Sequence, residues 1–141
     1  MMNRIFPGIA MIAIILLSLT GCETDNKTLL TNGVWKFSNM TTDSEDQDII
    51  AFVTLGKAIL TDGTLEINAD ETYILSAPLL QNSQTGTWSL VGEDQLIFKG
   101  EDNITSTANI ETLSKKELKY IETYVDAEMN SYSITTSWSR D

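Results

Sequence analysis

The chain has 141 residues, 42% of them hydrophobic, enough for one domain with a real core and too few for two comfortable ones. Twenty acidic residues against nine Lys and Arg give a net charge of −11, which disfavours binding to nucleic acid or to anionic lipid headgroups. Histidine is absent altogether, and with it go the commonest general base, the commonest zinc ligand and the usual near-neutral pH switch.

Residues 1–21 read as an address. Arg4 precedes an apolar run from Ile9 to Leu19, and small residues then lead into Cys22. That is the layout of a secretory signal, and the run is short of the roughly 20 apolar residues that a spanning helix needs. Leu19-Thr20-Gly21-Cys22 resembles the bacterial lipobox. The resemblance implies cleavage before Cys22, a diacylglycerol on its sulfur and an acylated amino group, so the membrane becomes a partner through the lipid. Several acyl chains anchor stably where one alone is marginal. An ordinary signal peptide with an incidental cysteine, or a short uncleaved anchor, is the competing reading.

Cys22 is the only cysteine, so it has no internal disulfide partner and the exported domain must be held by its core. Residues 22–30 are polar and unpatterned and are read as a lipidated tether. Glu23 occupies the place where, in proteobacterial lipoproteins, an Asp favours retention at the inner membrane. The expected location is therefore the bacterial cell envelope, lipid-anchored at the outer membrane, with periplasmic or surface orientation open.

Residues 31–141 are expected to form one all-β domain. GVWKFS (33–38) is strand-like. Next, SEDQDIIAFVTLGKAILTDG places Ile49, Phe52, Val53, Gly56, Ile59 and Leu60 on one helical stripe, with Ser44 and Gln47 resembling a capping box and Gly63 a stop. A buried strand competes, since IIAFVTL is rich in β-branched residues, but the run is long for a strand and its ends are marked. A helix there would cover one mouth of a barrel.

Two hairpins follow, TLEIN-AD-ETYILS and GTWSLV-GED-QLIFKG, and then STANIETL, KELKYIETYV and SYSITTSW. In the last of these, Tyr132, Ile134, Thr136 and Trp138 alternate with small polar residues, which is the cleanest period-two run in the chain. Eight strands joined mostly by tight turns favour an antiparallel meander, and closure removes its exposed edges.

GVWKF, DGTLEINADETYIL, TGTWSL with LIF after it, and IETLSKKELKY together resemble the lipocalin-like domain of small bacterial lipoproteins. The resemblance implies a small antiparallel eight-stranded lipocalin-like barrel with one short helix after the first strand. Gly33-Val34-Trp35 also matches the G-x-W of true lipocalins, where the tryptophan closes the narrow end and a late arginine packs over it. By that likeness Trp35 and Arg140 are the closure pair.

The sequence offers little catalytic machinery. Carboxylate pairs such as Asp70 with Glu71 and Glu101 with Asp102 fall at expected turns, where acidic residues serve local hydrogen bonding. DSEDQD has oxygen ligands, but Asp48 stands where an EF-hand loop requires glycine. No metal or cofactor is assigned. Trp88, Phe98, Tyr120, Glu122, Tyr132 and Ile134 are the candidate barrel lining. A simply packed core is an equal alternative, because eight strands enclose either a filled interior or room for one small ligand.

Glu122 shares a strand face with Leu118, Tyr120 and Tyr124. Inward, it would be a carboxylate among aromatics, which is costly without a partner, so a bulge or strand end turning it outward is the favoured reading. The expected function is an envelope-anchored, non-catalytic barrel binding a small apolar or amphipathic ligand. The alternative is an interaction module for an envelope protein, drawn by charge to a basic partner.

Overall fold

The computed structural model describes residues 25–141; the expected signal segment, residues 1–21, and Cys22 lie outside the described residues. Helix α1 (Asn26–Thr31) is followed by strand β1 (Val34–Thr42) and helix α2 (Gln47–Leu60). Seven strands complete the chain: β2 (Thr64–Ile67), β3 (Thr72–Ser76), β4 (Gln84–Val91), β5 (Gln95–Gly100), β6 (Thr105–Leu113), β7 (Glu117–Val125) and β8 (Ser131–Ser139). Each strand pairs antiparallel with its sequence neighbour, and β8 closes on β1. The result is the expected eight-stranded barrel, with its helix after the first strand.

Tight turns enforce the meander. Between β2 and β3, Asp70 accepts a hydrogen bond from the Thr72 amide at 3.1 Å, while Glu71 takes a left-handed φ of 70°. Between β6 and β7, the Ser114 hydroxyl accepts from the amides of Lys116 and Glu117. These turns and the β4–β5 turn share one end of the barrel with α1. The β1–β2 connection through α2 and the β3–β4, β5–β6 and β7–β8 loops share the other.

The α1 end is closed. Leu30, on the last stretch of the expected tether, is fully buried, and its carbonyl accepts from the Trp35 indole N–H at 2.9 Å. The chain reaches Trp35 through Gly33, whose φ of 107° is open to glycine at no steric cost. Trp35, Leu65, Ile67, Trp88, Leu96, Ala108, Leu118 and Trp138 fill this half of the interior. The other two indoles are also satisfied, Trp88 by the Asn68 carbonyl at 2.8 Å and Trp138 by the Tyr120 hydroxyl at 3.3 Å.

Helix α2 differs in detail from the sequence expectation. Its N-cap is Asp46, which accepts from the Asp48 amide at 2.8 Å; Ser44 instead accepts from the Asp46 amide. The buried stripe is also narrower, because α2 packs on β1 and no second layer covers it. Val53 is buried and Gly56 faces the Met40 sulfur, but Phe52 stays 64% exposed.

Candidate functional site

Strand register decides which side chains face inward. Across β7 and β8, Leu118 pairs with Trp138, Tyr120 with Thr136, Glu122 with Ile134 and Tyr124 with Tyr132, with no slip from Glu117 to Val125. Trp138 and Thr136 are buried, so that whole row faces the interior. Glu122 is therefore inward, contrary to the outward reading. The irregularity near it lies in β6, between Ile110 and Thr112, and leaves β7 straight.

What makes an inward Glu122 tolerable is its pair of donors. The Ser106 hydroxyl donates to Oε1 at 2.7 Å, and the Tyr124 hydroxyl donates to Oε2. Burial first, and then the bond to the Glu122 carboxylate, push the Tyr124 phenol above its ordinary range. Tyr120, deeper in the wall, is raised by its own burial and secondarily by the Glu122 charge.

Inward residues of β3 to β6 complete a cup at the open end. Tyr73 meets Phe98 edge-on, with ring centroids 5.0 Å apart, and Phe98 lies 6.1 Å from Tyr120. On the opposite arc Tyr124 stacks on Tyr132 at 5.6 Å. Beside Tyr73 and Phe98 opens a cavity of about 410 Å³, lined also by Gln84, Gly100, Asp102, Ile104 and Ser106. Ser106 thus borders the cavity while holding Glu122. The Tyr73 phenol is raised by burial and then by the charges of Asp102 and Glu101.

Gly86 gives Tyr73 its place. It pairs with Gly100 across β4 and β5, and a Cβ on it would meet the Tyr73 ring at 2.8 Å and also strike the Lys99 carbonyl. The edge of the Tyr73 ring occupies space that a side chain at residue 86 would need. A larger depression of about 570 Å³ involves outward residues of the same strands, including Ile74, Thr87 and Lys99. It is a groove in the outer wall that meets the cavity at Tyr73, Thr85, Gly100 and Glu101, which line both.

Of the candidate lining residues only Phe98 lines the cavity. Trp88, Tyr120 and Ile134 are buried, and Glu122 and Tyr132 are half-buried on the β7–β8 wall, with Glu122 joined to the cavity through Ser106. Tyr73, Tyr124 and Ser106 were missing from that set. The signal for Tyr73 was available in its pairing with the G-T-W strand and that for Tyr124 in the period-two face it shares with Glu122, whereas Ser106 is brought to Glu122 only by the β6–β7 pairing.

At the closed end the Arg140 guanidinium carbon lies 3.8 Å from the centre of the Trp35 ring, and Nε donates to the Lys115 carbonyl at 2.6 Å. Desolvation lowers the Arg140 pKa from its ordinary value, but a guanidinium stays protonated at any physiological pH. Among the described residues no group of three or more Asp, Glu, His or Cys side chains gathers as a metal site. Asp43 and Asp46, the core of the acidic DSEDQD run, accept from the backbone amides of Ser133 and Asp48.

No curated protein sequence matches this chain. Among solved structures, a DUF4847 family protein from Bacteroides vulgatus ATCC 8482 is similar at 12% identity and a TM-score of 0.46, over 76% of this chain and 93% of that one. The lipocalin-like domain profile matches residues 31–120, from the G-x-W entrance of the barrel to the middle of β7. The chain belongs to the lipocalin-like domain family.

Proposed function

We propose that the protein is a non-catalytic binding protein that takes a small apolar or amphipathic molecule into the cup, held at the bacterial outer membrane by a lipid on Cys22. The observation that carries the reading is the division of the interior: a packed core seals one half, and a cavity of about 410 Å³, with Tyr73, Phe98 and Ile104 set in an otherwise mainly polar lining, opens from the other. That volume lies in the range of sites that enclose a small ligand. With a lipid on Cys22, just ahead of α1, the closed end faces the membrane and the cup opens away from it.

Native mass spectrometry of the protein, extracted gently from its own envelope, tests the binding reading. A reproducible added mass, lost on unfolding and refolding, is the expected result. A bare mass, together with a flat response to a panel of fluorescent hydrophobes, would count decisively against it. Lipidation is tested separately by the mass of the mature N-terminus, with Cys22→Ala as control.

A second reading is supported by the open rim. Leu79, Ile104 and Met129, one from each of three connections, and Val125 at the end of β7 are exposed apolar side chains. They fit a protein partner docking over the cup. Stoichiometric recovery of one envelope protein, lost when Ile104 and Met129 are changed to Ser, is the outcome that would favour it.

A further inference from the structure

The inner wall carries an acid with no cation to match it. Glu122 is held by two hydroxyl groups, and the ion pairs among the described residues, Lys36–Asp141 and Lys119–Glu117, involve neither it nor the cup. Two hydroxyl donors leave lone pairs on both carboxylate oxygens unused. A carboxylate taken partly out of water normally gains a positive partner or gives up its charge.

The surroundings favour the same sign of ligand. Asp102 and Glu101 line the cavity together with Tyr73 and Phe98, and so does Ser106, the donor to Glu122. Aromatic faces attract a cation through their quadrupole, by about 0.5 kcal/mol when exposed and about 2 kcal/mol when desolvated. Among the described residues, six of the eight basic residues, including Arg140, Lys115 and Lys36, lie on α1 or on the strand ends and turns of the closed half; the other two are Lys99, near the open end of β5, and Lys57, on α2 in the connection from the open end of β1. The open end is therefore the acidic pole of an acidic protein, and a charged molecule reaching it is steered by sign.

We infer that the cup selects an organic cation: an amphipathic molecule whose ammonium group pairs with Glu122 while its apolar body lies against Tyr73 and Phe98. This deepens the ligand-binding reading above and rests on it. Neutral hydrophobes fit the same rings but leave Glu122 unmatched, and anionic amphiphiles such as fatty acids are repelled by Glu122 and Asp102. Discrimination by charge then comes from the wall and rim, and affinity from the rings.

The test uses the full chain in nanodiscs and calorimetric titration with three probes of one shape: phenylbutyl-trimethylammonium, phenylbutanol and phenylbutyrate. The cation is expected to bind about tenfold more tightly than the alcohol, with the anion weakest. Glu122→Gln keeps a polar group for Ser106 and Tyr124 and is expected to erase that preference, the cation's affinity falling to that of the alcohol. Equal binding of all three, or a preference that survives Glu122→Gln, overturns the inference and leaves the apolar cup standing. Absence of binding by every probe overturns the cup reading along with it. Should Glu122→Gln fail to fold, Asp102→Asn and the salt dependence of the cation's affinity decide. Several-fold weakening by each supports the inference, and no change in either refutes it.

Discussion

The guanidinium of Arg140 caps the ring of Trp35 at 3.8 Å, joining the last turn of chain to the first strand. Its Nε bonds the Lys115 carbonyl, but Nη1 and Nη2 have no protein partner, so stacking carries much of the contact. Arg140→Ala is expected to cost about 2–4 kcal/mol, from the lost stack, the lost charged hydrogen bond and the space left over Trp35. Arg140→Lys should recover little, because an ammonium has no planar face to lay on the indole. Urea unfolding midpoints measure both, and a lysine variant as stable as the parent would contradict the stacking account.

Leu30 makes a second closure. It is fully buried and its carbonyl holds the Trp35 indole, so α1 belongs to the barrel. Leu30→Ala should destabilise by about 2–4 kcal/mol, whereas Leu29→Ala, next to it on the half-exposed side, should stay within about 0.5 kcal/mol. Comparable losses at the two positions would mean that α1 docks differently.

The strands were legible because each carries its own period-two pattern and ends in turn residues, as in Tyr132-Ser133-Ile134-Thr135 and Asn68-Ala69-Asp70-Glu71. Helix α1 was hidden: NKTLLT is too short to show a period, and its two leucines are adjacent. Glu122 was misjudged because its tolerance depends on Ser106, which is 16 residues away in sequence and is brought near only by the β6–β7 pairing. Phe52 lay on the expected stripe, yet packing on a single strand buries less of a helix than a full layer would.

Met129 stands at φ 67° in the β7–β8 connection, with its side chain 81% exposed. A left-handed conformation costs a side-chain-bearing residue about 1–2 kcal/mol, and an exposed methionine returns little packing. Met129→Gly should therefore stabilise the barrel, by about 0.5–1 kcal/mol once the freer unfolded chain is counted. Thermal and urea unfolding give the sign directly. A destabilised variant would show that the methionine makes contacts beyond its own loop.

Alkaline stability follows from two tyrosines of the inner wall, Tyr120, which is buried, and Tyr124, which is partly exposed. Burial chiefly, with help from the Glu122 carboxylate, raises the phenols of Tyr120 and Tyr124 above their ordinary value near 10. The unfolded chain then loses these protons first, so stability is complete below about pH 10 and declines as the pH climbs above it. Tyr124→Phe should make that decline shallower, although it removes one donor from Glu122 at neutral pH. Unfolding free energies between about pH 8 and pH 11, with tyrosinate absorbance followed in parallel, separate the two effects. An alkaline slope unchanged in the Phe variant would place the titration elsewhere.

Gly86 links the wall of the barrel to the shape of the cup. A Cβ there would strike the Lys99 carbonyl and approach the Tyr73 ring to 2.8 Å and the Gly100 Cα to 3.0 Å. Two of those three obstacles are backbone of the paired strand, so they yield only if β4 and β5 separate. Gly86→Ala should cost about 1–3 kcal/mol and turn Tyr73 out of its edge-on contact with Phe98. Ligand affinity would then fall even at temperatures where the variant is fully folded, because the displaced ring enters the cavity it now borders. Unfolding curves measure the first effect and titration with the best-binding probe the second. Lost stability with unchanged affinity would separate Tyr73 from the binding surface and move the site toward the Tyr124–Tyr132 side of the mouth.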